Sequence, residues 1–136
     1  MAAVRYIVAD ADEAVDFYRD RLGFKVEMHP GPQFAALVRD DLRLYLNQPG
    51  AGSAGKAGGN PEPGGWSRFQ IETDDLDGLI ERLGAAGATF RGSTAEGGGG
   101  RQILLEDPSG NVIELFEPKK RAGQDLRIES QPASTA

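Results

Sequence analysis

The chain begins with an alternation of apolar and polar residues that predicts a β-strand. Over residues 4–8, Arg5 and Ile7 share one face and three apolar side chains share the other. Three more strands are predicted before residue 50, with Asp40-Asp41 as the turn between the last two. These strands are residues 25–28, 34–38 and 42–47.

A helix is predicted between the first and second of these strands. Asp10 or Asp12 can cap its start, because an aspartate side chain accepts hydrogen bonds from the free N–H groups of the first turn. Apolar residues then recur at helical spacing, and Gly23 ends the pattern. The first part of the chain therefore follows the order βαβββ.

The second part of the chain repeats this order. A strand at 67–73 is followed by a helix that Asp74-Asp75 caps and that ends at Gly84 or Gly87. Three strands follow the helix, and Asp107-Pro108-Ser109-Gly110 forms the turn before the last one. These strands are residues 89–91, 101–106 and 111–117.

The two parts match in the order and spacing of their elements, which indicates an internal duplication. Asp10 matches Asp75, and residues 44–49 match residues 113–118. The offset between equivalent positions grows from 65 to 69, so a small insertion lies between the start and the end of the repeat. The predicted fold class is α+β, with two tandem βαβββ modules.

Glycine and proline divide the chain. Residues 50–65 read as a flexible connector between a first module at 1–49 and a second at 66–118, and the two modules are expected to form one domain. Residues 119–136 lose the pattern and are predicted to be a disordered tail. A second glycine-rich segment, Gly92–Gly100, leads into a strand rather than a helix, which argues against a nucleotide-binding loop.

Composition narrows the classes of function. The 136 residues are 39% hydrophobic and include no cysteine, so neither disulfide nor thiolate chemistry is available. The net charge of −6 argues against a nucleic-acid surface. We find neither an apolar run long enough to span a membrane nor a secretory signal, so we expect a cytoplasmic protein without nucleic-acid or membrane partners.

Two stretches resemble the vicinal oxygen chelate superfamily, which includes glyoxalase I, extradiol dioxygenases and bleomycin-resistance proteins. One is Asp10 with Phe17-Tyr18 and Leu22-Gly23-Phe24, and the other is Asp107–Asn111 with Glu114-Leu115. The resemblance covers about residues 3–118. It implies a curved, cup-shaped mixed sheet with the helices on its outer face, a small-molecule site in the cup, and a homodimer. Fold alone does not determine the chemistry in that cup.

The resemblance also implies where a metal would bind. Metal-dependent members place ligands on the first and last strand of each module, and these positions hold Ala3, Tyr45, Arg68 and Glu114 here. Alanine has no donor atom, arginine has no lone pair to offer, and a neutral phenol is a poor ligand. We therefore expect no metal and no other cofactor.

Strand alternation predicts which side chains line the cup if the four metal-ligand positions face it. We expect Arg68 and Glu114 to pair, and Trp66 to lie near the rim. Guanidinium groups and aromatic rings favour planar or carboxylate-bearing ligands. The predicted ligand-binding residues are Arg5, Ile7, Arg43, Tyr45, Asn47, Trp66, Arg68, Gln70, Glu114 and Phe116.

Three functions remain open from the sequence. The first is a metal-independent protein that binds or sequesters a small organic molecule, aromatic or antibiotic-like, as bleomycin-resistance proteins do. The second is a lyase, isomerase or dioxygenase-like enzyme with a non-standard or metal-free site around Glu114. A metal-free site would use Glu114 as general base or Tyr45 as general acid. The third is a module whose ligand occupancy regulates another protein.

Overall fold

The computed structural model describes residues 1–51 and 59–119. Its order of elements is that of two successive βαβββ modules, which confirms the predicted fold class. The first module contains β1 (Ala2–Ile7), α1 (Ala11–Leu22), β2 (Lys25–Gly31), β3 (Phe34–Arg39) and β4 (Leu42–Asn47). The second contains β5 (Arg68–Glu72), α2 (Leu76–Ala85), β6 (Thr89–Glu96), β7 (Gly100–Glu106) and β8 (Val112–Pro118).

The first module forms a mixed four-stranded sheet in the order β1-β4-β3-β2. Strand β1 is parallel to β4, and the other neighbours are antiparallel. Helix α1 contacts β2, β3 and β4. Leu37, Leu44 and Leu46 are fully buried. They lie on the apolar face of the sheet, which supplies the hydrophobic core of the module.

The second module forms a sheet in the equivalent order, β5-β8-β7-β6. The helices begin in the same way, because the side chains of Asp10 and Asp75 each accept a hydrogen bond from the backbone N–H three residues later. Helix α1 ends at Gly23, whose φ of 74° lies in the left-handed region that glycine tolerates. The predicted starts of both helices and the predicted end of α1 are therefore confirmed. Helix α2 ends at Ala85 with Ala86 as its cap, between the two glycines predicted for its end.

Two hydrogen bonds recur at equivalent positions in the modules. One runs from the backbone N–H after the first strand to a carbonyl near the end of the last strand. The other runs from the first N–H of the helix to the side chain that follows that carbonyl. They are Val8 N to Asn47 O at 2.9 Å, Thr73 N to Phe116 O at 2.8 Å, Ala11 N to Gln48 Oε1 at 3.0 Å and Leu76 N to Glu117 Oε1 at 2.8 Å. Between the two modules, equivalent donor residues are 65 positions apart and equivalent acceptor residues are 69 apart. These are the two offsets of the predicted repeat.

Two strands extend well beyond their predicted ends. Strand β6 continues to Glu96, so the segment Gly92–Gly100 is mostly strand, and only residues 97–99 turn back, with Gly97 N donating to Gly100 O. Strand β2 continues through His29 and Pro30 to Gly31. Both were missed because glycine and proline weaken a strand pattern, whereas hairpin pairing depends on backbone hydrogen bonds that most residues can form.

The chain divides into two compact units whose boundary runs through β5 and β8. The first contains Met1–Phe69 with Glu106–Ile113, and the second contains Gln70–Leu105 and the chain from Glu114 onward. The single domain, the connector and the disordered tail stay predictions. Residues 52–58 of the predicted connector and 120–136 of the predicted tail lie outside the described residues.

The turn before β8 is built around one buried carboxylate in the first unit. Asp107 Oδ1 accepts from the backbone N–H groups of Ser109 and Asn111, at 2.9 and 2.8 Å. Its Oδ2 accepts from Tyr18 Oη at 2.9 Å and from Asn111 Nδ2 at 3.0 Å. The Asn111 side chain also donates to Ile7 O and accepts from Gly64 N. The conspicuous Asp-Pro-Ser-Gly-Asn motif therefore has a structural role.

Tyr6 makes the stability of the chain sensitive to alkaline pH. Its hydroxyl donates to Val112 O at 2.6 Å, and burial raises its pKa to about 12. An unfolded tyrosine ionises near pH 10, so this stabilisation is complete below pH 10 and is lost as the pH rises towards 12. In urea titrations, the free energy of unfolding of wild type should fall by about 1.4 kcal/mol more than that of Tyr6→Phe between pH 9 and pH 11. Equal losses would contradict this assignment.

Candidate functional site

Three side chains stack on the first module's sheet. Arg5 on β1 lies opposite Tyr45 on β4, and its guanidinium carbon is 4.8 Å from the centre of the Tyr45 ring. Phe34 on β3 stacks on Tyr45, with ring centres 6.0 Å apart and planes inclined by 22°. This is a cation–π contact next to an aromatic pair, and it leaves Arg5 exposed and both rings partly exposed.

Asn47 holds the guanidinium in place. Its Oδ1 accepts from Arg5 Nη1 at 2.6 Å, and its Nδ2 donates to Ala51 O at 3.3 Å. The Asn47 side chain is fully buried, so it acts through Arg5 instead of presenting its amide to solvent. Arg5, Phe34, Tyr45 and Asn47 together are termed the polar-aromatic face. Ile7, opposite Asn47 on β1, is only partly buried.

Arg43 has a different environment from Arg5. Its Nε and Nη2 donate to the two carboxylate oxygens of Glu27, at 2.9 and 3.2 Å. This forked hydrogen bond from Arg43 lowers the pKa of Glu27 below its ordinary value. The charge of Arg43 is therefore compensated within the protein, although the sequence had suggested equal roles for the two arginines.

The second module brings together two of its predicted site residues. Gln70 Nε2 on β5 donates to Glu114 Oε2 on β8 at 2.7 Å, and Glu114 is only 9% exposed. Phe116, two residues further along β8, points its ring edge at the turn around Gly99, where an added Cβ would lie 3.8 Å from Phe116 Cζ. Phe116 is partly exposed.

The remaining two predicted site residues lie on the surface. Trp66 precedes β5 and is 72% exposed, and Arg68 at the start of β5 is also exposed. The pairing of Arg68 with Glu114 stays a prediction. A Trp66 side chain with this exposure has little of its ring area packed against the protein.

Sequence reasoning missed two residues of this surface, Phe34 and Glu27. The two-residue turn at Asp40-Asp41 fixes the register of β3 against β4, and it puts Phe34 opposite Asn47. That signal could have identified Phe34. Glu27 was harder to predict from the sequence, because irregularities between Val26 and Gly31 break the alternation of β2.

The four metal-ligand positions do not fit a divalent cation. Ala3 and Arg68 offer no lone pair, and the Tyr45 phenol belongs to a ring stacked by Arg5 and Phe34. Glu114 is the only carboxylate of the four. Across residues 1–51 and 59–119, no three His, Cys, Asp or Glu side chains are grouped so that they could hold a metal ion. No helix in these same ranges combines the length and apolarity needed to cross a membrane.

The sequence of the chain matches the model of a known protein superfamily. Residues 1–115 match the model of the Glyoxalase/Bleomycin resistance protein/Dioxygenase superfamily. The chain belongs to this superfamily. The resemblance predicted from Asp10, Phe17-Tyr18 and the Asp107–Asn111 motif is thereby confirmed. No protein with a curated description matches the chain significantly.

Solved structures of this superfamily resemble the chain over most of its length. A superfamily member from Sphaerobacter thermophilus DSM 20745 is 27% identical, with a TM-score of 0.69 over 86% of this chain and 95% of that one. TnmS3, an antibiotic binding protein from Streptomyces sp. CB03234, is 28% identical, with a TM-score of 0.66 over 86% and 93%. A lactoylglutathione lyase from Agrobacterium tumefaciens, 23% identical with a TM-score of 0.71 over 86% and 92%, shares the fold. The superfamily fold therefore accompanies both binding proteins and enzymes.

Proposed function

We propose that this chain is a metal-independent binding protein for a planar organic molecule, aromatic or antibiotic-like, which binds on the polar-aromatic face. The observation that carries the proposal is the stack of Arg5, Tyr45 and Phe34. It offers a ligand ring both an aromatic surface and a guanidinium plane. Such surfaces bind planar molecules through stacking and van der Waals contact.

Two further observations support binding over catalysis. Three of the four metal-ligand positions hold residues that do not suit a divalent cation, so Lewis-acid chemistry at that set lacks its donors. TnmS3, a 28% identical superfamily member, is an antibiotic binding protein. The additional predicted contacts for the same ligand remain Ile7, Arg43, Trp66, Arg68, Gln70, Glu114 and Phe116.

The test is a binding screen with chelator-treated protein. Planar aromatic compounds, neutral and charged, are titrated calorimetrically in the presence of EDTA, and bound compound is then recovered and analysed by mass spectrometry. We expect saturable binding at one site per chain, with the compound recovered unchanged. Recovery of a chemically altered compound would instead favour a metal-free enzyme that uses Glu114 as base and Tyr45 as acid.

The Tyr45 ring should dominate affinity on this face. Tyr45→Ala removes the ring that both Arg5 and Phe34 contact, and we expect at least tenfold weaker binding, equivalent to about 1.4 kcal/mol. Tyr45→Phe is the matched control, since it keeps the ring and removes only the hydroxyl. Its affinity should stay within about twofold of wild type, because stacking does not need the hydroxyl. Wild-type affinity in Tyr45→Ala would reject this face as the site.

The homodimer implied by the superfamily resemblance belongs to the same proposal. Its test is sedimentation equilibrium, in which a mass of two chains supports the dimer and a mass of one chain at all concentrations opposes it.

A further inference from the structure

On the polar-aromatic face, the guanidinium of Arg5 is held in place but only partly used in hydrogen bonds. Arg5 has five N–H donors, and it uses one on Nη1 to donate to Asn47 Oδ1. Among the described residues, no protein atom accepts a hydrogen bond from Arg5 Nε or Nη2. The edge formed by Nε and Nη2 suits a carboxylate, which can accept two parallel hydrogen bonds from it.

The conformation of this guanidinium is set before any ligand binds. Asn47 is fully buried and is itself tied to Ala51 O, so its Oδ1 provides a fixed acceptor for Nη1. The Tyr45 ring supports the guanidinium plane at 4.8 Å. A side chain held by two such contacts loses less rotamer freedom when it binds, which favours affinity.

The charges around the face distinguish Arg5 from its neighbour. Arg43 on the adjacent strand is neutralised by a forked ion pair with Glu27. The contacts of Arg5 are with a neutral amide and a neutral ring, and no described carboxylate lies within salt-bridge distance of it. A bound anion would therefore meet an uncompensated positive charge beside an aromatic surface.

We propose that the ligand class of this face is an aromatic carboxylate, whose ring stacks beside Tyr45 and Phe34 while its carboxylate binds the Nε–Nη2 edge of Arg5. This inference rests on the proposed function and specifies the chemistry of its ligand. It assigns Arg5 as the residue that determines specificity for the charge.

The test compares two probes that differ in charge and little in shape, 2-naphthoate and 2-naphthamide. Calorimetric titration of wild type should show at least tenfold tighter binding of 2-naphthoate, because hydrogen bonds between charged groups are worth more than neutral ones. Arg5→Gln should abolish that preference while binding of 2-naphthamide changes little. Arg5→Lys, which keeps the charge and loses the fork, should retain only part of the preference.

Arg21→Gln is the matched control, because Arg21 is an exposed arginine on α1 that is remote in sequence from the face. It should keep the full preference. Urea midpoints of all variants establish that they fold. Equal binding of the two probes by wild type, or an undiminished preference in Arg5→Gln, would overturn the inference and leave the proposed function standing. Failure of both probes to saturate wild type would also overturn the inference, whereas the proposed function fails only if no planar compound of the screen binds.

Discussion

Asp107→Ala should destabilise the protein by about 3–5 kcal/mol, the largest effect we expect from any single substitution. The carboxylate is 4% exposed and accepts four hydrogen bonds. Removing it leaves the hydroxyl of Tyr18, which is fully buried, without its acceptor. It also removes an acceptor from both the backbone and the side chain of Asn111. Each buried donor left unsatisfied costs about 1–3 kcal/mol.

Equilibrium urea unfolding measures this loss, and two variants act as controls. Asp16→Ala removes an exposed carboxylate that pairs with Arg19 at 2.9 Å, and it should change stability by less than about 1 kcal/mol. Tyr18→Phe removes one of the four donors to Asp107 and should cost about 1–2 kcal/mol. A loss below about 1 kcal/mol in Asp107→Ala would show that this carboxylate does not organise the turn.

Gly100→Ala should cost about 3 kcal/mol or more through a clash between β7 and the end of β8. Gly100 has a φ of 152°, which side chains rarely adopt. An added Cβ would overlap the carbonyl oxygen of Glu117 and lie 3.0 Å from both Pro118 Cα and Lys119 N. These are backbone atoms of a paired strand, so they cannot move aside without breaking hydrogen bonds such as Lys119 N to Gly99 O.

The same hairpin supplies the control for Gly100→Ala. Gly97 and Gly98 have ordinary φ values, and an added Cβ meets no atom within 4 Å at either position. Gly97→Ala and Gly98→Ala should therefore leave the urea midpoint nearly unchanged. A Gly100→Ala protein as stable as these two would mean that β7 and β8 do not approach as closely as described.

Features that depend on a few neighbouring residues could be predicted from the sequence. The Asp10 and Asp75 caps and the Gly23 terminus follow from local hydrogen bonding and a positive φ, and all three were among the predicted helix ends. The duplication was also evident, because both modules need the same alternation and the same capping residues. The repeated order of elements in the structure agrees with that interpretation.

Features that depend on register or on distant partners were harder to predict. The bulged pairing of β2 concealed Glu27, and therefore the neutralisation of Arg43. The sequence pattern also gave Asn47 as a ligand contact, whereas the structure buries it beneath Arg5. Side-chain alternation tells which face a residue occupies, but not which neighbour on that face it binds.

The central claim, that an organic ligand binds the polar-aromatic face without a metal, is tested most directly by an NMR titration. Chelator-treated protein labelled with ¹⁵N would be titrated with the tightest compound of the screen, and backbone and Arg5 Nε–H signals followed. We expect saturable shifts concentrated at Arg5, Phe34, Tyr45 and Asn47, and these shifts should stay the same when a divalent metal is added. Shifts that leave these four residues unaffected, or that appear only after metal is added, would contradict it.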